Sequence, residues 1–396
     1  MYNQNPVFIP GPTNIPDVIR KACDVATIDH RSADFARLFN PAIAGVKQVL
    51  ETKAGEVIIF PSTGTGGWEA AISNTLSPGD TVLAARFGMF SHRWIDMCQR
   101  HRLNVQIIET PWGQGAPIAR IEAALAADRE HMIKAVLATH NETATGVRSD
   151  IAAIRRALDK TGHPALLMVD GVSSIGSMEF RMDAWGVDIA VAGSQKGFML
   201  PAGLAIVGLS AKALAAMETA QLPRTFFDFR DMRKSYATGG YPYTPAVGLI
   251  SGLATSVRLL QEEGLENVYA RHHRIAEGVR RAIAAWGMKP CAASPDLCSD
   301  TVTAVVVPEG FNGTDVVKLA AEKYGVAFGV GLGEVAGKVF RIGHLGSLTD
   351  VMMLAGLATA EMCMADLSYP IKLGSGVAAA QDYYRQSGAK AAKAAA

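Results

Sequence analysis

Between Glu56 and Leu209 the sequence repeats one pattern: a short apolar run, a polar cluster, then a longer stretch with apolar residues at helical spacing. The runs are Glu56–Phe60, Thr81–Arg86, Asn104–Glu109, Ala135–His140, Ala165–Asp170, Asp188–Ala192 and Leu204–Leu209. Short apolar runs without alternation belong to strands covered on both faces. Such strands, separated by helices, pair mainly in parallel through βαβ crossovers. Gly and Pro punctuate the joins, as in Ser77-Pro78-Gly79-Asp80, Gly162-His163-Pro164 and Pro201-Ala202-Gly203. The pattern predicts an α/β fold with a mainly parallel seven-stranded sheet flanked by helices.

After about Thr244 the pattern changes. Helical stretches over Pro245–Glu263 and Leu265–Trp286 lead to a strand-like Thr301–Val307, a helical Asp315–Tyr324, a strand-like Lys338–Ile342 and a helical Asp350–Leu367. This reads as a smaller α+β C-terminal domain. The expected division is an N-terminal arm (1–20), a large domain (21–275), a small domain (276–386) and an Ala/Lys-rich tail (387–396) that frays.

The bulk properties exclude several classes of function. A formal net charge of +1 gives no reason to expect nucleic acid or an acidic membrane as partner. The five cysteines are scattered, with no C-x-x-C pair, which fits a reducing compartment. The N-terminus lacks the basic and apolar regions of a signal peptide. The most apolar long segment, Val351–Leu367, contains Glu361 and is short for a bilayer. A cytoplasmic protein is expected, and no metal site is.

In open α/β sheets, ligands sit beyond the carboxyl ends of the strands. Four polar clusters fall there: PSTGTGGW, HNETATG, DGVSS and GSQKG. Ser62-Thr63-Gly64-Thr65-Gly66-Gly67 joins a strand to a helix, where free backbone N–H groups favour a phosphate. It is neither a dinucleotide fingerprint, since Glu69 stands at the last glycine position, nor a P-loop. Taken alone it is equally a plain glycine-rich connection. Asp170 ends the apolar run Leu166–Val169. There it serves as a helix cap or turn acceptor, or as an acceptor for a protonated ligand nitrogen. Lys196 is either an exposed turn lysine or a desolvated amine suited to imine formation. Together, a phosphate cradle, an acid for a ring nitrogen and a lysine match the needs of pyridoxal 5′-phosphate. Gly193 and Gly197 then flank the lysine where the backbone passes close to the cofactor, and Ser194 supports the turn.

The segments FIPGPTNIP, STGTGGWEAA, FSHRWIDM, THNETATGV, VDGVSSIGS, GSQKG, GYPYTP, GLENVYARHH and KVFRIGHLG also carry a resemblance. The chain resembles the fold-type I, class V pyridoxal phosphate-dependent aminotransferases, and among them the bacterial aspartate–glyoxylate and serine–glyoxylate enzymes. The resemblance implies that Lys196 is the Schiff-base lysine and Asp170 the partner of the pyridine nitrogen. It places Thr63, Gly64 and Thr65 on the phosphate loop, with Gln195 nearby. Phe90 matches the aromatic residue on the cofactor ring, and Thr143 the residue on the side of the cofactor's ring oxygen. Tyr241 and Thr244 match residues that reach the phosphate from a neighbouring subunit, so a homodimer or higher homo-oligomer is implied. Arg341 matches the arginine that clamps the substrate α-carboxylate. Without the resemblance, Phe90 reads as a core aromatic, Tyr241 and Thr244 as loop residues, and Arg341 equally as half of a structural ion pair.

The implied reaction is a two-half transamination, with glyoxylate becoming glycine. Aspartate is the favoured donor and serine the runner-up, with alanine also open. A second donor carboxylate calls for another cation, for which His30, Arg31, His92, Arg93, Arg224 and His344 are candidates. Two remote alternatives are a class V lyase using Cys291 or Cys298 as a persulfide carrier, and a metabolite-binding protein without turnover.

Overall fold

The computed structural model describes residues 6–394. Its main sheet has seven strands in the order Glu56–Ser62, Gly203–Leu209, Ile189–Gly193, Leu166–Asp170, Ile133–Thr139, Thr81–Arg86 and Asn104–Glu109. The last five pair in parallel. Gly203–Leu209 runs antiparallel to both neighbours. The sheet is therefore mainly parallel, as expected, with one reversed strand. Leu166–Asp170 and Ile189–Gly193 are buried at every residue, as strands sandwiched between helices must be.

Local chemistry sets the element ends. The helix Ile151–Thr161 begins where the Asp150 carboxylate accepts the Ala153 amide at 2.8 Å. It ends at Gly162, which takes the left-handed conformation at φ 62°. Ile151, Ile154 and Leu158 recur at helical spacing and are buried. Truncating Leu158 to alanine should cost about 2–5 kcal/mol.

A second, five-stranded sheet has the order Val7–Phe8, Ala327–Val330, Val339–Gly343, Val302–Val306 and Lys289–Pro290. Its apolar face packs with residues of Leu265–Ala285, Gly313–Tyr324 and Asp350–Asp366 in a second core. Phe8, from the N-terminal arm, belongs to this core. The helix Leu265–Ala285 joins the two cores: Val268 lies in the first, while Ile275, Val279 and Ile283 lie in the second. The tail departs from the frayed expectation, because helix Ser375–Ala394 continues through it. Residues 395–396 of that tail, and 1–5 of the arm, lie outside the described residues. No helix among the described residues is long and apolar enough to cross a membrane.

Candidate active site

The carboxyl ends of four strands converge on one cavity of about 230 Å³. Thr63, Gly64 and Thr65 line it from the end of Glu56–Ser62, Thr143 from beyond Ile133–Thr139, Asp170 from its own strand, and Gln195 and Lys196 from beyond Ile189–Gly193. The four polar clusters thus share one site. Thr63 occupies the N-cap of helix Gly64–Thr75, yet its side chain makes no cap bond. The first-turn amides are left without that cap, at the positive end of the helix dipole. The Gln195 side-chain oxygen is buried and has no hydrogen-bond partner among the described residues.

Asp170 is buried, and its carboxylate accepts the Val172 amide at 3.0 Å. Burial pushes its carboxyl up to about 7, with a further upward contribution from the charge of Glu142. Lys196 keeps part of its surface open to the cavity while burial lowers its ammonium to about 8. The Arg341 charge lowers it further, and Asp170 opposes the shift. The structure therefore holds an acid and an amine near neutrality in one cavity, a pairing typical of chemical sites.

The N-terminal segment completes the wall, a contribution missed in the sequence reading. The Lys196 amine donates to the Pro10 carbonyl. Thr13 donates its amide to the Gln195 carbonyl at 3.1 Å and its hydroxyl to the Lys196 carbonyl at 3.2 Å. Gly11 has φ +111°, a conformation that favours glycine, and a Cβ there would lie 2.6 Å from the lysine nitrogen and crowd the amine. Gly197 has a different cause from the one expected: a Cβ there would meet the Ile175 carbonyl at 2.2 Å, so it serves a close approach of backbone to backbone. Ser194 does support the turn, donating to the Pro201 carbonyl at 2.7 Å and accepting the Leu204 amide at 3.1 Å.

Phe90 lines the cavity, with the Arg93 guanidinium 5.4 Å from its ring centroid. The Thr143 hydroxyl bonds the Ser173 hydroxyl at 2.7 Å. Arg341 stands on strand Val339–Gly343 and is not among the residues that line the cavity. It donates from Nε to the Val330 carbonyl at 2.8 Å and from Nη1 to the Thr143 carbonyl at 2.9 Å. No acidic side chain pairs with it among the described residues, which disfavours the structural ion pair. Burial lowers its guanidinium to about 10.

These features invite comparison with known proteins. The class-V aminotransferase family model matches residues 20–343. This chain is a class-V aminotransferase. The aminotransferase is 69% identical to an L-aspartate–glyoxylate aminotransferase of Paracoccus denitrificans, over 100% of each chain. It is 53% identical to a serine–glyoxylate aminotransferase of Methylorubrum extorquens, over 97% of each. Among solved structures, a pyridoxamine–pyruvate aminotransferase of Mesorhizobium loti superimposes with a TM-score of 0.90 at 28% identity, covering 98% of this chain and 99% of that one. The fold is accordingly that of the fold-type I enzymes, whose members depend on pyridoxal 5′-phosphate.

The cavity of this aminotransferase fits such a cofactor. Uncapped amides and threonine hydroxyls face where a phosphate needs donors, and a buried carboxyl and a desolvated amine suit the ring nitrogen and the aldehyde. Trp68, which the sequence reading left unassigned, also lines the cavity. Its indole N–H is buried without a hydrogen bond, yet it lies close enough to Asp170 to favour the charged carboxylate.

Other expected residues lie apart from the cavity. Tyr241 is packed against Phe35, Phe39 and Tyr236, and Thr244 is exposed; neither lines the cavity of its own chain. Of the candidate cations for a second carboxylate, Arg224 is held by the carbonyls of Ser73, Ala220 and Leu222, and His344 by Thr303 and the Asp300 carbonyl. His92, Arg93 and Arg31 are exposed, and none of the six lines the cavity. Neither Cys291 nor Cys298 lines it, and burial raises both thiols, which removes the support for a persulfide carrier.

Proposed function

We propose that this aminotransferase holds pyridoxal 5′-phosphate in the Lys196 cavity and transfers the amino group of aspartate to glyoxylate, forming oxaloacetate and glycine. The observation that carries the reading is the desolvated Lys196 sharing one cavity with the buried Asp170. When bound, the cofactor supplies an aldehyde that accepts an amine and a protonated ring that draws electrons from the donor's Cα.

The chain's own residues then have distinct tasks. Thr63, Gly64, Thr65 and Gln195 bind the phosphate. Asp170 holds the proton on the ring nitrogen, Phe90 lies on the ring face, and Thr143 sits on the side of the ring oxygen. Arg341 binds the donor's α-carboxylate; its Nη2 is the guanidinium nitrogen not committed to a backbone carbonyl. Lys196 is the catalytic residue: as a free amine it would take the proton from the donor's Cα and pass it to the cofactor carbon that carried the aldehyde, with the reverse transfer when glyoxylate is the acceptor. Pro10 and Thr13 keep that amine and its backbone in place. Donor and acceptor use the site in turn, so ping-pong kinetics follow.

The choice of aspartate is supported by the identity to the aspartate-using relative over the whole chain. Serine is the second reading. Lys196 is the only cationic side chain among the described residues that line the cavity, and serine brings no second carboxylate. Alanine shares that property. Tyr241 and Thr244 are assigned to the phosphate of a second copy in a homodimer; Thr244 is exposed and open to one, whereas Tyr241 lies buried against Phe35, Phe39 and Tyr236 and would have to turn out of its own core. Free cysteines support a cytoplasmic location. The division at residue 275 remains part of the same proposal. Initial rates with glyoxylate against aspartate, serine and alanine test the reading. Aspartate should give the highest kcat/KM; a higher value for serine or alanine overturns the donor, and no turnover with any of the three overturns the reaction.

A further inference from the structure

Glu142 is fully buried, on a short strand pair formed by Asn141–Glu142 and Val147–Arg148. Burial pushes its carboxyl up, and backbone N–H groups together with the nearby Ser91 hydroxyl oppose that shift. The Phe90 amide donates at 3.1 and 3.2 Å, the Ser91 amide at 2.9 Å and the Ala144 amide at 3.1 Å. The helix Met89–Arg100 has no side-chain cap from its own N-cap residue. Glu142 supplies that cap from a distant segment, where free amides and the helix dipole favour an anion. Gly88 makes room for it: a Cβ there would lie 2.1 Å from the Glu142 Cγ. The Gly88 backbone is extended, so the requirement is space alone.

Two lines run from this carboxylate to the cavity. The first passes through the Phe90 amide to the Phe90 ring, which lines the cavity. The second reaches Arg341. Glu142 precedes Thr143, whose carbonyl accepts the Arg341 Nη1 at 2.9 Å, and the Glu142 charge opposes the loss that burial imposes on the guanidinium. One buried anion thus joins the aromatic face of the site to the cation intended for the substrate.

We propose that Glu142 is a positioning residue for both, holding the Phe90 ring and the Arg341 guanidinium in a common register. The inference rests on the reading of the cavity as a cofactor and amino-donor site. Burial without a cationic contact is costly, and a carboxylate here is explained by what it organises on both sides.

Two variants separate the tasks. Glu142→Gln removes the charge and turns an amide N–H₂ toward backbone amides. Glu142→Asp keeps the charge but withdraws it by one methylene. For each, the dissociation constant of pyridoxal 5′-phosphate is measured by titrating cofactor-free protein and following tryptophan fluorescence. Donor KM, kcat and the melting temperature are measured alongside. E142Q should weaken cofactor binding about tenfold and raise donor KM about tenfold, with kcat within about threefold per loaded site. E142D should weaken cofactor binding similarly but keep donor KM within about threefold of wild type, because the charge facing Arg341 survives. A role in folding alone would lower both melting temperatures and leave both constants at wild-type values, which overturns the proposal. If E142Q does not fold, E142D decides it, and unchanged cofactor affinity is again the overturning result. A wild-type protein that binds no cofactor would overturn the reading of the site itself; wild-type constants in the variants of a cofactor-binding protein overturn only the role of Glu142.

Discussion

The molecule has a larger hollow than the one assigned to chemistry. A cleft of about 700 Å³ lies under His140, between the main sheet and helix Leu265–Ala285, with Arg148, Trp185, Tyr269, His273 and Asp300 on its walls. The Lys196 cavity is about a third of that size at 230 Å³. The difference lies in how their polar groups are satisfied. In the cleft, His273 meets Asp300 at 3.1 Å, Asp300 meets Arg280 at 3.3 Å, and Arg148 donates to the Asp296 carbonyl at 2.8 Å. Around Lys196, the Gln195 oxygen and the Trp68 N–H are buried and unpaired, and a helix N-terminus has no side-chain cap. The cleft too has a buried, unpaired hydroxyl on Tyr269 and a His140 imidazole lowered to about 4 by burial. What marks the Lys196 site is the convergence of several unpaired polar groups on a carboxyl raised to about 7 and an amine lowered to about 8; volume does not mark it.

Substitutions can break or sharpen that contrast. The largest effect belongs to Lys196→Ala, which should cut turnover with glyoxylate by at least about three orders of magnitude. His273→Ala, in the cleft, should leave the rate within about twofold, and the same initial-rate assay reads both. Asp170→Asn should lower kcat/KM about a hundredfold, because a neutral amide cannot hold the proton on a ring nitrogen. Arg341→Lys should raise the donor KM about tenfold with a smaller change in kcat, since a point charge replaces a planar fork.

The pH dependence follows from Lys196. Its folded value is depressed from 10.5 to about 8, so below pH 8 the ammonium predominates and above it the free amine. The rate of cofactor uptake by cofactor-free protein should rise about tenfold per pH unit below 8 and level off above it. Stopped-flow absorbance checks this. The smallest effect on activity is expected for Asp300→Asn. The neighbouring His273 and Arg280 hold the Asp300 carboxyl below its usual value, so its contribution to stability is present above pH 3.8 and fades as pH falls through the lower folded value. The variant should lose about 1–3 kcal/mol of stability in thermal or denaturant unfolding while turnover is kept.

The sequence made the strands and their polar ends legible for a physical reason. Continuous apolar runs bounded by Gly, Pro and polar residues have few alternative placements, and Thr81–Arg86 and Asn104–Glu109 match their predicted bounds. Thr63, Asp170 and Lys196 could be grouped because strand ends in such sheets point one way. Long-range pairing was not legible. Nothing in the run Gly203–Leu209 encodes its reversed direction, and nothing in Val7–Phe8 names Ala327–Val330 as its partner. Glu142 sat in a quoted motif, but its targets, the Phe90 and Ser91 amides, lie more than four dozen residues away, and no local spacing announces a cap from another segment. Trp68 looked like one more helix residue after the glycine loop. Only packing shows that its N–H is left unpaired.

The central claim is that Lys196 is the amine on which the cofactor is carried. Protein loaded with pyridoxal 5′-phosphate should absorb at about 400–430 nm, and borohydride reduction followed by peptide mass mapping should place a stable cofactor label on Lys196. A label on any other lysine, or no label on protein that binds the cofactor, would contradict the account.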